Sequence, residues 1–467
     1  MALVLVLSAC GPRGQAAQYP DAAPDPVEPR AASPSPPQTA PPPQARGIVA
    51  GPVSTAFAVE GRDLRLVRSG EKELALQFEL YNGTGEEVSL GTLGLDGREQ
   101  LMALVDLPRG TAYGLVGGSG PDGRISEDVD VEPGQSAPVT AVFTAPPEEA
   151  TEMLVVVNGL LPVTVPITEG ELDDDPALSG PYGAAQVGPL VCKTEQGGRE
   201  KFRLPSDVLF EFGSSKLSTS ARSSIEGLRE RISAASGSVT VNGHTDGIGT
   251  DSANQILSEE RAAAVRQVLQ PSLGDGFTYQ AKGHGESEPV APNTKPDGSD
   301  DSSGRAQNRR VEVQVEGEST VQPAETGGEL SDAGLVARVE SVRRLSGYLL
   351  ASVKITNSGS EPAPLPYENH FTPDELTTGQ LSIAGQNERH ELCGFAEPTY
   401  FDFIGTMSSG FAPGKLDSVP GGAEVTLWGL FPAPVPAAAG QGSTGASVKV
   451  QIGGYAEPLD AEVTAAG

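Results

Sequence analysis

Two stretches of this chain echo one another from opposite ends. LALQFELYNGTGEEVSL (Leu74 to Leu90) parallels LLASVKITNSGSEPAPL (Leu349 to Leu365), and VEPGQSAPVTAVFTAP (Val131 to Pro146) parallels VPGGAEVTLWGLFPAP (Val419 to Pro434). Each pairs a half-apolar run with an Asn-Gly-type turn, the signature of a strand entering a tight connection. Leu64 to Val67, Val139 to Phe143 and Leu154 to Val157 add further short strands with Gly and Pro between them. Several short strands at this spacing predict an immunoglobulin-like sandwich. The chain is therefore expected to carry two all-β modules, over 47–168 and 334–467, on either side of something different. Convergence remains an alternative, because any two half-buried sheets with such turns look somewhat alike. The second copy also carries an insert from Tyr367 to Lys415.

With 467 residues, the chain is too long for one ordinary core. Its 62 acidic residues outweigh 32 basic ones, giving a net charge of −30. A phosphate backbone would be repelled by that field, which argues against nucleic acid as a partner. Gly 58, Pro 40 and only 5% aromatics favour short strands, turns and linkers over helical bundles. Residues 1–10, MALVLVLSAC, end in Leu-Ser-Ala-Cys and resemble the lipobox of bacterial lipoproteins, which makes Cys10 the expected lipidation site. The apolar run is too short to span a bilayer and lacks a basic leader, so the true start is expected upstream of Met1. Residues 11–46 are Pro- and Ala-rich, an extended tether that could reach on the order of 100 Å. Acidic, breaker-rich stretches at 169–195 and 317–333 read as linkers, predicting beads on a string. Besides Cys10, only Cys192 and Cys393 occur. In an exported protein they could form a disulfide or stand as separate thiols.

The middle, 196–316, alternates strand and helix. Val208, Phe210 and Phe212 alternate as a strand, while Ala221, Ile225, Leu228 and Ile232 recur at helical spacing. Val239 and Val241 mark a strand running into Gly243, and a second helix runs from near Asn254 to Leu269, with Leu257, Val265, Val268 and Leu269 turned inward. Phe277, Tyr279 and Ala281, then Val311, Val313 and Val315, give two more strands. The order predicts a mixed βαβαβ-type sheet with helices packed on it, an α/β sandwich within a multidomain α+β protein. On the second helix Asn254, Ser258 and Arg261 share one face. Asp246 sits in a turn from which its carboxylate can aim at that helix. A neighbouring carboxylate and guanidinium suit a zwitterion, the one accepting from an ammonium and the other forking a carboxylate.

Four pieces occur in order: Gly243-His244-Thr245-Asp246, Leu257-Ser258-x-x-Arg261-Ala262, GHGESEP (Gly283 to Pro289) and GRAQNRRVEV (Gly304 to Val313). Together they resemble the OmpA-like family, whose C-terminal domain binds bacterial peptidoglycan, and the lipobox adds a likeness to peptidoglycan-associated lipoproteins. The resemblance covers about a quarter of the chain. It implies that Asp246 and Arg261 are primary contacts for the diaminopimelate side chain of a stem peptide. It further implies that Thr245, Asn254, Leu257 and Ser258 shape the pocket and that Asn308 and Arg309 contribute from beside it. The competing reading of Asp246 and Arg261 is an internal salt bridge stapling loop to helix. Both are expected at a solvated pocket, not in the core.

The acidic stretch VAPNTKPDGSDDSSG before Arg305 is longer than shorter family versions and lacks the spaced ligands and terminal Glu of a calcium loop. His244 reads as structural, since the other histidines show no ligand spacing. Neither a metal nor another cofactor is expected. A nucleophile-base order, metal cluster or paired acid/base carboxylates cannot be found, so the chain reads as no enzyme. A transmembrane barrel would need aromatic girdles that one Trp cannot supply. The expectation is a lipid-anchored protein of the bacterial cell envelope that grips peptidoglycan, with the β-modules contacting other envelope proteins. Its membrane would be the outer one in a Gram-negative cell and the plasma membrane exterior otherwise. The alternative is an envelope scaffold or adhesion protein acting through those modules, with the central domain only positioning it.

Overall fold

The computed structural model describes residues 47–90, 102–116, 124–126, 129–170, 187–211, 213–319, 334–365, 381–385, 388–396, 401–403, 418–434, 447–452 and 458–465. The stretches read as lipobox with Cys10 and tether, Phe212, and most of the expected insert and linkers lie outside the described residues.

In the central region five strands lie side by side in the order Val187–Gln196, Arg199–Pro205, Arg310–Ser319, Ala234–Gly243 and Phe277–Gly283. The last pair is parallel and the rest antiparallel, so the sheet is mixed. Four helices follow in chain order: α1 (Ser206–Leu209), α2 (Thr219–Gly227), α3 (Asp251–Leu273) and α4 (Ser302–Asn308). Ser218 caps α2 by accepting from the Ala221 N–H, and Thr250 caps α3 through the Ala253 N–H. Ala221, Ile225 and Leu228 face Val265, Val268 and Leu269 of α3 and the sheet residues Phe202, Val239 and Val313 in one core. Leu257 is only half-buried. The alternation at Val208, Phe210 and Phe212 does not make a strand. Residues Ser206–Leu209 form a helical turn instead, and the strand beside the C-terminal one is Arg199–Pro205. Local alternation misled because burying Leu209 and Phe210 against the α2 side needs only a turn and an isolated bridge to Leu217.

The flanking β-regions share a pairing plan. Val59–Ser69 pairs antiparallel with Glu73–Asn82, which pairs with Ser136–Thr144, and Val163–Glu169 runs parallel to the first. Leu335–Leu345, Tyr348–Asn357, Glu424–Pro432 and Leu459–Ala465 repeat those three pairings in kind. The turns match as well. Asn82 Nδ2 donates to the Glu86 and Val131 carbonyls at 2.7 Å each, and Asn357 Nδ2 to those of Glu361 and Val419 at 2.7 and 2.9 Å. A buried amide thus ties each turn to a distant strand, which is why an Asn stands at both places. Each region has its own apolar core.

The parts are not strung loosely. Residues 47–467 form one compact unit, and 187–196, of which 187–195 reads as linker, is a strand that joins all three. Val187 to Pro189 pair with Thr111 to Tyr113 of the first β-region. Leu190 and Val191 pair with Phe395 and Gly394, and Thr194 and Glu195 with His390 and Arg389, of the second. Cys192 and Cys393 are joined by a disulfide. The β-regions also meet directly, with Leu107 and Leu154 of the first in one apolar cluster with Tyr348, Trp428 and Leu430 of the second. The acidic composition around 169–186 gave no sign of this, because the apolar surface that draws the parts together lies on the strands.

Candidate functional site

The site forms where the strand Ala234–Gly243 runs out above α3. A Cβ at Gly243 would lie 2.1 Å from the Ser258 carbonyl oxygen, and one at Gly283 would lie 2.5 Å from the Ser258 hydroxyl. Glycine at both strand ends is what lets α3 lie this close. Ser258 in turn accepts the Gly285 N–H at 2.9 Å. The loop carrying Thr245 and Asp246 is fixed by backbone bonds from His244 N to Arg310 O and from Thr245 N to Gly285 O, each 2.9 Å.

Asp246 and Arg261 come to one place, but they do not form the staple that the competing reading supposed. The Asp246 Oδ2 accepts from Arg309 Nη1 at 2.6 Å and lies 3.6 Å from Arg305 Nη1, while Oδ1 accepts the Ile248 N–H at 3.1 Å. Arg261 donates Nε to the Ser214 carbonyl at 3.0 Å and sits over the Phe210 ring, 5.1 Å from its centroid. Among the described residues its two Nη groups have no hydrogen-bond or ion-pair partner. Burial lowers the Arg261 pKa, and the Asp207 charge opposes that shift. Asp246 and Arg261 are only 7% and 5% exposed. That corrects the expectation of a solvated pocket: the polar groups around them stand in for water.

Arg309 is the hinge of the cluster. It grips Asp207 with Nε and Nη2 at 2.7 and 2.6 Å while holding Asp246 with Nη1. Burial alone would lower its pKa, but the Asp207 hydrogen bond and charge, then those of Asp246, raise it. Arg305 pairs with Asp300 at 2.6 Å on the rim. Three guanidiniums thus face Asp207 and Asp246, which leaves an excess positive charge before the rim carboxylate is counted.

The remaining expected residues divide by role. Asn254 donates Nδ2 to Glu286 Oε2 at 2.5 Å and to the Asp246 carbonyl at 3.3 Å, so it braces the loop. The Thr245 hydroxyl is buried without a hydrogen-bond partner among the described residues. Asn308 is fully buried; it accepts the Val290 and Ala291 N–H groups and donates to Asn293, whose Oδ1 accepts from Gly247 beside Asp246. Leu257 is half-buried on α3 and lies in none of these polar contacts. His244 is buried, its ring stacked on His284 at 4.9 Å with neither nitrogen partnered among the described residues, and burial pushes its pKa down to about 3. In the acidic stretch, Asp297 accepts from Ser299, Asp300 holds Arg305 and Asp301 caps α4. Among the described residues there is no cluster of His, Cys, Asp or Glu able to hold a metal.

Asp207, Ser214, Glu286 and Asn293 were missed in the sequence. Asp207 reaches Arg309 across a separation of 102 residues, and nothing local to it signals a partner.

Residues 209–302 match the OmpA family, and the central part of the chain is an OmpA-like domain. The chain is 39% identical over 144 residues to the photosystem I P700 chlorophyll a apoprotein A2 of Gloeobacter violaceus, covering 31% of this chain and 16% of that one. It is 45% identical over 122 residues to outer membrane porin F of Pseudomonas aeruginosa, covering 26% and 33%. It is 35% identical over 170 residues to outer membrane protein A of Salmonella typhi, covering 34% and 45%. The chain thus spans less than half the length of each of these relatives. Among solved structures, the peptidoglycan-associated lipoprotein of Burkholderia pseudomallei is 26% identical, covering 23% of this chain and 86% of that one, with a TM-score of 0.18.

Proposed function

We propose that this chain is a non-catalytic protein of the bacterial cell envelope that binds peptidoglycan non-covalently through a diaminopimelate-type stem peptide. In this reading Cys10 carries a lipid, and the chain links membrane to wall. The observation that carries the proposal is Arg261, a buried guanidinium with both Nη groups unpartnered among the described residues and Asp246 in the same charge cluster. The Nη fork offers a ligand carboxylate two parallel hydrogen bonds. The ligand ammonium meets Asp246, whose Oδ1 carries only a backbone N–H. The OmpA-like match and the relatives named for the outer membrane support the same reading. The two β-regions, read as immunoglobulin-like modules, contact other envelope proteins.

The test is co-sedimentation of the full chain with insoluble diaminopimelate-type peptidoglycan, beside Asp246→Asn and Arg261→Gln. Both substitutions remove charge, and Asp246→Asn also keeps the side chain's shape. The wild type should pellet with the wall and both variants should stay in solution with unchanged circular dichroism. Retention of either folded variant at the wild-type level would remove that residue from the site.

A further inference from the structure

A second cationic place opens where the three parts of the chain meet. A small cleft, partly open to solvent, is walled by Arg109, Arg203, Gln307, Arg309, Arg310 and Tyr348 among others. Four of its walls are arginines and none is an acid, on a chain whose net charge is −30. Opposite charge has been drawn to the walls but not into the space. Arg109 is paired with Asp106 and Glu149, Arg309 with Asp207 and Asp246, and Arg310 with Glu312.

Arg203 is different. It belongs to the strand Arg199–Pro205, whose Phe202 and Leu204 turn into the central core. By strand alternation Arg203 points the other way, towards the β-regions. Its cross-strand neighbour Glu312 has both carboxylate oxygens engaged, one by Arg310 at 2.8 Å and the other by Lys201 at 3.0 Å. Among the described residues the Arg203 side chain has neither an ion pair nor a hydrogen bond. Tyr348 faces the same space and lies close enough for the Arg203 charge to act on it. Its hydroxyl abuts Gly110, where a Cβ would come within 2.5 Å, and it makes no hydrogen bond to the described residues. Burial pushes this phenol up to about 12, so it remains a donor at neutral pH.

We propose that this cleft binds a small carboxylate, held by the Arg203 guanidinium fork with the Tyr348 hydroxyl as a further donor. A guanidinium with no ion pair among the described residues matches a monoanion, and its planar pair of N–H groups matches a carboxylate better than a tetrahedral dianion. The carboxylate has two sources. One is a free small acid. The other is a carboxylate of the wall peptide, since Arg309 both lines the cleft and holds Asp246; this source rests on the function proposed above.

The experiment is a titration of the full chain with sodium acetate at constant ionic strength, followed by isothermal calorimetry. The wild type should bind acetate saturably, and Arg203→Gln should remove one equivalent or weaken it by about tenfold or more, as loss of a charge-assisted fork requires. Tyr348→Phe keeps the packing and should weaken binding several-fold, so it tests the site should Arg203→Gln not fold. Absence of saturable binding to the wild type, or equal binding by wild type and both cleft variants, overturns the proposal. Wall co-sedimentation of Arg203→Gln distinguishes the sources: lost retention assigns the carboxylate to the wall peptide, and full retention with lost acetate binding assigns it to a free acid.

Discussion

Replacing Lys193 by Met should cost the protein about 3 kcal/mol, the low end of the range for removing one partner of a buried ion pair. Lys193 is 1% exposed on the joining strand, with Nζ 2.6 Å from Glu200, 3.3 Å from Glu195 and 3.5 Å from Glu391. Burial opposes its charge, yet the surrounding carboxylates, Glu391 foremost, raise its pKa. A raised lysine pKa contributes stability in full below the unfolded value of about 10.4, and that stability is lost as pH rises through the folded value. Measurement at pH 7 therefore sees all of it. The cost concentrates on Glu200, 6% exposed, since Glu195 and Glu391 reach water more easily. It stays near the low end because the Ser233 N–H still serves both Glu200 oxygens, at 3.1 and 3.0 Å. The assay is guanidinium unfolding of the full, disulfide-bonded chain, followed by fluorescence of Trp428. This is the only tryptophan, and it lies in the cluster between the β-regions. A loss of about 3 kcal/mol is roughly a 150-fold change in the folding equilibrium. Lys193→Met with Glu200→Met should recover most of it, because an apolar pair leaves no stranded charge. If the single change costs under about 1 kcal/mol, or the double change costs as much as the single, the buried-charge reasoning fails.

Gly243→Ala places a methyl 2.1 Å from the Ser258 carbonyl oxygen, a backbone atom that cannot rotate away; denaturation should show a loss of about 2 to 3 kcal/mol, and wall retention should fall because α3 must move. His244→Phe keeps the stack on His284 and removes a base whose pKa burial holds at about 3. Because the folded value is lowered from about 6.5, wild-type stability is whole above that pH and declines as pH falls towards 3. The Phe variant should thus gain on the wild type by roughly 2 kcal/mol between pH 7 and pH 4.5 in paired denaturation curves, and parallel curves would refute the shift.

Much of the central domain was legible because its signals are local. Helical spacing at Ala221, Ile225 and Leu228 and strand alternation at Val311, Val313 and Val315 each reflect one face meeting one core. The Gly-His-Thr-Asp and Leu-Ser-x-x-Arg pieces were legible for a related reason: close approach of a strand end to a helix demands glycine, and a turn and a helix face deliver Asp246 and Arg261 to one side. The repeat in the β-regions could be read from Asn82 and Asn357, since a buried amide bonding two carbonyls tolerates few substitutes. What the partners of those side chains would be was not legible. Asp246 meets Arg309 and Arg305 instead of Arg261, Asp207 joins from a segment read as strand, and the expected solvated pocket is mostly buried. The sequence by itself determined most of the strands and helices, though not the turn at Ser206–Leu209 or the strand Val187–Gln196, and which residues carry charge to the site, because backbone preference and periodicity act over a few residues. Only the tertiary structure decided that residues 187–196 bind three parts into one unit and that Arg203 and Arg261 are left with donors to offer. Ion pairing and burial depend on distances between residues far apart in the chain, and no local pattern records those.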